Sequence, residues 1–416
     1  MVEAASSAGH VDGTSKRVLW LIITQSGFYR TALQLGNIPI VLPFVVAELH
    51  AELWMAALIF PSFTAGTAIG NMIAPAVLAA VPRRGRLVII VLGLAVLAGV
   101  NALCATIGDG NEAGIVFLVN VVLIGAVSAF SFVAFADLVA AMPSGTDRAQ
   151  VLLTEAGVGA GLTAVVTVAL SFVPHDDALT NNTRLLWTAT AAMAISGLMC
   201  LGVPHRIVPH IHAAPGLHKV VHVGWATVRS DGWYRRYLAV QLLFGSVVIG
   251  SSFYSIRVAA APGDEHDHVV VVVLFVCVGL LGGIRLWNRT RQRFGLVGLF
   301  VGSAIVSIVA AAVAIGFQLA GSWPNIVAIS LVIALASIAN QSVFTAGQLW
   351  IAHDADPALR VSLIAFGQLV ISIGLVGLSS LLGMFAQFHD VVWPVVIVLL
   401  LNVVAAHSAR RLAPAN

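Results

Sequence analysis

The chain has 416 residues, of which 59% are hydrophobic and only 9% charged, with a formal charge of +3 and a mean hydropathy of +0.98. Soluble domains carry about 25% charged residues. This chain has too few to cover a water-facing surface, which excludes a soluble enzyme or a nucleic-acid-binding protein and leaves a polytopic membrane protein.

About twelve apolar runs are long enough to span a bilayer, at 18–47, 53–81, 87–107, 113–141, 149–173, 185–204, 237–261, 269–287, 294–320, 325–352, 361–387 and 391–408. Residues 1–16 are small and polar and the first run is too long for a signal h-region, so no cleaved leader is expected. The first run carries Ser26, Arg30, Gln34 and Asn37 at steps of four, four and three, one stripe of an otherwise apolar helix. A guanidinium at that depth costs about 2.5–3.5 kcal/mol on insertion scales, so the stripe must face protein or a water-filled cavity. Gly66 and Gly70 in the second run form a GxxxG step suited to helix packing. Asp137 lies near the end of the fourth run. Glu155, in the fifth, is either a proton carrier or a fixed partner for Arg30. Cys104, Cys200 and Cys277 all sit in apolar runs and read as packed thiols.

Residues 205–236 break the pattern. They form a long polar connection in which Leu217, Val220, Val221, Trp225 and Val228 alternate with Lys219, His222 and Arg229, predicting a short amphipathic helix at the membrane surface. This divides the chain into a bundle over 1–204, a central loop over 205–236 and a bundle over 237–416. In the second bundle, Gln241, Tyr254 and Arg257 in the seventh run and Asn340, Gln341 and Gln348 in the tenth are candidate cavity-lining groups. Gln368 in the eleventh run occupies the place of Glu155 in the fifth, so any proton coupling is asymmetric. With the N-terminus inside, 18 of the 21 basic residues fall in cytoplasmic segments. Both termini are then cytoplasmic.

The two halves echo one another. Pro82-Arg83-Arg84-Gly85-Arg86 follows the second run, and Asn288-Arg289-Thr290-Arg291-Gln292-Arg293 follows the eighth. A lone Arg148 precedes the fifth run, and a lone Arg360 the eleventh. Twelve helices in two sixes, a long central loop and these basic clusters resemble the major facilitator superfamily over nearly the whole chain. The family's signature between its second and third helices is G-x-L-x-D-R-x-G-R-R. Residues Leu78 to Leu87 match its R-x-G-R part, with Pro82 where the aspartate belongs. Gly157, Gly159 and Gly161 are similar to the glycine-rich fifth helix of the family's exporters, without their Gly-Pro.

The resemblance implies an all-α membrane protein of two pseudo-symmetric six-helix bundles. It places helices 1, 4, 7 and 10 around a central cavity, with helix 5 beside helix 1. It therefore implies a substrate site at Arg30, Ser26, Gln34, Asn37, Gln241, Tyr254, Asn340 and Gln341, with proton coupling at Glu155. It also implies an inside gate in which Asp137 pairs with Arg83 or Arg86. His205, His210, His212, His218 and His222 in the central loop, and Asp264 to His268, lack a zinc-site spacing, so no metal is expected. Nucleotide signatures are absent and no cofactor is expected. The expectation is a monomeric, bacterial-type inner-membrane transporter that uses alternating access and protons to move a small organic solute, anionic or amphipathic, and contacts membrane lipid. A non-transporting receptor or scaffold on the same fold is the alternative.

Overall fold

A computed structural model describes residues 3–82, 85–140, 148–173, 178–203, 217–259, 268–321, 325–388 and 392–412. The long elements among these residues are α-helices: α1 (Glu3–Leu35), α2 (Val41–Glu48), α3 (Leu53–Ala80), α4 (Arg86–Ile107), α5 (Gly110–Ala140), α6 (Arg148–Ser171), α7 (Ala178–Met199), α8 (Leu217–Ser230), α9 (Gly232–Ala259), α10 (His268–Leu319), α11 (Ile326–Asp354), α12 (Arg360–Phe388) and α13 (Val392–Leu412). Ten helices among the described residues have the length and apolar composition to cross a membrane. Their outer faces carry large apolar side chains in the open, among them Ile107, Val165, Phe172, Val278 and Leu319. Such a surface is suited to lipid rather than to water.

Two runs depart from the sequence reading. The run over 18–47 is not one helix. α1 stops at Leu35, and α2 restarts at Val41. Pro39 has no N–H to continue the ladder, and the Asn37 carbonyl and side-chain oxygen collect the backbone N–H of Ile40. The eighth and ninth runs join into the 52-residue α10, interrupted at Gly295 with φ 62° and ψ −151°. Only glycine adopts that conformation without a Cβ clash, and a straight 52-residue helix would be about 78 Å long, far more than a bilayer. α10 is two helices joined at a glycine.

Within the first half of the chain, α3 packs on α5, α1 on α6 and α7, and α4 on α7. In the second half α10 packs on α11 and α13, and α9 on α11 and α13. The halves meet along two seams, α3 with α12 and α6 with α10. In run order these are the second with the eleventh and the fifth with the eighth, which exchange when the halves are swapped. α3 and α5 approach unusually closely. A Cβ on Gly66 would lie 2.0 Å from the Val122 carbonyl oxygen, one on Gly70 2.3 Å from that of Ala126, and one on Gly125 2.2 Å from that of Phe63. The packing role read from the GxxxG step is what the structure shows, with Gly125 as its third member. The predicted amphipathic helix is α8. It buries Val220 and Thr227 against α12 and α3 and exposes Val221 and Trp225.

Candidate functional site

The centre of the molecule is built from a close crossing of α1 and α6. A Cβ on Gly27 would meet Val158 at 2.5 Å, and one on Gly159 would meet the Arg30 Cβ at 2.4 Å. Thr31 closes the crossing by donating to the Gly159 carbonyl at 3.2 Å. With the backbones this near, Arg30 reaches Glu155, one turn before Gly159. Arg30 Nη2 donates to Glu155 Oε1 at 2.9 Å and Arg30 Nε donates to the same oxygen at 3.3 Å. The Glu155 side chain is 1% exposed and that of Arg30 23%. Glu155 Oε2 accepts no hydrogen bond. Phe344, from α11 in the other half, lays its ring over the guanidinium, 4.5 Å from its carbon to the ring centroid. A buried ion pair adds little stability over apolar packing, but removing one partner costs about 3–5 kcal/mol. Stability alone is therefore a poor reason to hold a charge pair here.

The pair opens on a chamber of about 340 Å³ between the halves, within the range of small-molecule sites. Polar groups on its wall include Gln25, Ser26, Thr64, Asn71, Ser131 and Gln368, and a second set of walls is aromatic: Tyr29, Phe60, Phe63, Phe132, Phe135 and Phe344. Gln25 is fixed by donating to Ser196 Oγ on α7 at 2.8 Å. Thr67 on α3 and Ser372 on α12 share a hydrogen bond of 3.0 Å across the chamber wall. A smaller compartment of about 150 Å³ adjoins it, lined by Gln241, Asn340, Gln348, Gln368 and Tyr237 among apolar neighbours.

The structure brings some of the predicted residues together and places others elsewhere. Arg30, Ser26 and Glu155 line the large chamber, and Gln241 and Asn340 line the small one. Gln34 instead meets α10, where the Cys277 thiol donates to its Oε1 at 3.8 Å. Asn37 lies beyond the end of α1 and serves the turn into α2. Tyr254 is 1% exposed inside the apolar core, and Gln341 is buried on the side of α11 that faces Gly283 of α10. A polar residue in an apolar run has several inward directions, and helical period alone does not separate the chamber from a neighbouring helix. Sequence reasoning missed the aromatic walls, because phenylalanines in apolar runs carry no signal distinguishing chamber from lipid. Arg83, the loop histidines at 205, 210 and 212, residues 264–267 and the side chains of Arg257 and His268 lie outside the described residues. Among the described residues no three or more His, Cys, Asp or Glu side chains converge on one point. His218 and His222 stack on α8 with ring centroids 6.2 Å apart.

At the end of the bundle that carries the basic loops, Asp137 is buried together with Arg86 and Arg360. Its carboxylate is within electrostatic reach of Arg360 first and Arg86 second. The sequence anticipated Arg86 but not Arg360, which belongs to α12 in the opposite half. At the other end, the Ser255 hydroxyl of α9 donates to the Pro39 carbonyl between α1 and α2. Contacts between the halves thus lie at both ends of the chamber.

No family model matches the chain. Uncharacterized proteins of Mycobacterium tuberculosis and Mycobacterium bovis are 33% identical to it over 393 residues, covering 94% of this chain and 76% of theirs. Among solved structures, the proton:xylose symporter XylE superimposes with a TM-score of 0.67 at 13% identity, covering 96% of this chain and 97% of that one. The human organic anion transporter MFSD10 gives a TM-score of 0.65 at 13% identity, covering 95% and 99%. The nucleoside transporter NupG gives 0.63 at 12% identity, covering 95% and 100%. The fold is that of the major facilitator superfamily. The chain belongs to one family with the mycobacterial proteins, a family of multi-pass membrane proteins on that fold.

Proposed function

We propose that the chain is a secondary active transporter that moves a small organic solute, anionic or amphipathic, by alternating access with proton coupling. The observation that carries this reading is the Arg30–Glu155 pair, held by one half of the chain, open to a chamber between the halves and capped by Phe344 of the other half. In the empty protein Glu155 is the counter-ion of the Arg30 guanidinium. An incoming anion competes with Glu155 for the guanidinium. Protonation of Glu155 removes the competitor, so solute and proton enter together. The solved structures sharing the fold include an organic anion transporter and a proton-coupled sugar symporter, which supports the reading. Taking α10 as two crossings and adding α1 to the ten apolar helices gives twelve, in bundles over 1–204 and 237–416 joined by 205–236. Both termini are then cytoplasmic in a bacterial inner membrane, with Asp137, Arg86, Arg83 and Arg360 forming the inside gate of a monomer.

Spin-label distances test this without knowledge of the substrate. One pair, Glu112→Cys with Ala320→Cys, reports the acidic end. The other, Gln150→Cys with Ala358→Cys, reports the basic end, both in a background lacking Cys104, Cys200 and Cys277. Each pair is expected to show two distance populations that shift in opposite senses between pH 8 and pH 5.5. A single, pH-independent distance at both ends would replace the transporter by a static receptor or scaffold.

A further inference from the structure

The large chamber and the smaller compartment are not separate cavities with separate walls. Both are lined by Phe132, Val248, Phe344, Gln368, Ile371 and Leu375. Phe344 stands at the junction, its ring over Arg30 on one side and edge-on to Phe132 at 5.7 Å on the other. At about 150 Å³ the smaller compartment lies below the roughly 300–1,000 Å³ of whole-ligand sites. It has room for one end of a molecule whose remainder lies in the large chamber.

The chemistry of the two compartments differs. The large chamber holds Arg30 and Glu155. The small one has no ionisable side chain on its wall except the Tyr237 phenol, which lies beside the amides of Gln241 and Gln368. Gln348 is 4% exposed, and both Gln348 Oε1 and Gln241 Oε1 lack a hydrogen-bond partner. Buried amide oxygens left unpaired are costly and uncommon. Both residues line the same small compartment, and a donor entering it would supply the partner they lack once the amides turn toward it. Gly347 makes room for the Gln241 amide, which lies against it: a Cβ there would be 2.0 Å from Gln241 Nε2. A charged group would find no counter-ion in the small compartment and would pay its desolvation unaided. Between the compartments the walls are phenylalanines, suited to a flat or apolar body.

We propose that the two compartments form one elongated site for a small organic acid of three parts. Its anionic group sits on Arg30, its apolar, ring-sized body lies between Phe132, Phe344 and the neighbouring rings, and its far end is a neutral hydroxyl or amide donating to Gln241 and Gln348. Phe344 is the partition, and its side chain turns aside when the ligand bridges the two spaces. The proposal rests on the transporter reading and narrows its substrate class.

The test uses the full chain in lipid nanodiscs and two probes, 3-phenylpropionate and 3-(4-hydroxyphenyl)propionate, measured by equilibrium binding. Wild type is expected to bind the hydroxylated acid at least tenfold more tightly. Gln348→Leu and, separately, Gln241→Leu should each bring that preference to within twofold, with thermal unfolding confirming that both variants are folded. Gln348→Asn should retain part of the preference, because it keeps an amide. Equal binding of the two acids by wild type, a preference that survives both leucine substitutions, or no binding of either acid overturns the proposal. Such a failure is separable from failure of the transporter reading. The spin-label distances report alternation whatever the ligand, so reciprocal distance changes with no acid preference reject this ligand class alone.

Discussion

The two halves of the chain share helices and seams, yet they furnish the chamber differently. From the first half come Arg30 and Glu155, both ionisable, on a pair of helices drawn together by Gly27 and Gly159. From the second come Gln241, Asn340, Gln348 and Gln368, all neutral amides. Gln368 of α12 and Glu155 of α6 both line the large chamber. The asymmetry extends to packing. α3 and α5 approach backbone to backbone at Gly66, Gly70 and Gly125. Their counterparts in the second half, the first part of α10 and α11, hold the indole of Trp287 between them, its N–H donating to the Ile338 carbonyl at 3.0 Å. A duplicated scaffold is therefore furnished asymmetrically: one half brings an ion pair to the chamber, and the other brings neutral amides.

The largest expected effect comes from breaking the charged half. Arg30→Ala should abolish anion binding, lowering affinity at least a hundredfold, and should lower thermal stability as well, since it strands a buried carboxylate at a cost of about 3–5 kcal/mol. Arg30→Lys should recover stability more than binding, because an ammonium lacks the planar fork. Equilibrium binding and thermal unfolding of the same preparations separate the two effects. Next come the close helix pairs inside each half. Gly125→Leu forces a side chain into the Phe63 carbonyl and should cost about 3 kcal/mol, seen as loss of monodisperse protein in detergent. Gly279→Ala in the second half meets neighbours only at 3.3 Å and should cost at most about 1 kcal/mol.

Smaller effects sharpen the comparison. Asp137→Asn removes a carboxylate facing Arg360 of the other half and Arg86 of its own. It should shift the spin-label population at the basic end toward the longer distance by a fewfold, about 1 kcal/mol. An unchanged distribution would remove Asp137 from the gate. Smallest of all, Tyr254→Phe should leave ligand binding within twofold of wild type, because Tyr254 lies in the core and away from the chamber. A larger change would return it to the site.

What the sequence shows and what it hides follow from how strongly each residue type constrains its surroundings. Arg30 and Glu155 are 125 residues apart, yet their pairing was legible, because a charge at membrane depth demands a partner and few were on offer. The polar connection over 205–236 and the repeated basic clusters set the expectation of two halves, since basic residues mark loops whatever the packing. Gln34, Asn37, Tyr254 and Gln341 were harder. Each tolerates several environments, and only the packing of α1, α9 and α11 decides whether it meets the chamber, a turn or another helix. The break before α2 did have a signal, Gly36 and Pro39, outweighed by the apolar run around it. Arg360 was visible as the counterpart of Arg148, but its position beside Asp137 depends on how α12 meets α5. The phenylalanine walls had no signal at all.

Proton uptake during ligand binding tests most directly the claim that an anion and Glu155 compete for Arg30. Full-length protein in weakly buffered solution at pH 7.5 is mixed with saturating 3-(4-hydroxyphenyl)propionate, and the pH change is converted to protons per bound anion. The account predicts about one proton taken up by wild type as Glu155 surrenders Arg30, and none by Glu155→Gln, which should bind the acid at least as tightly. Wild-type binding with no proton uptake, or uptake that persists in Glu155→Gln, would contradict it.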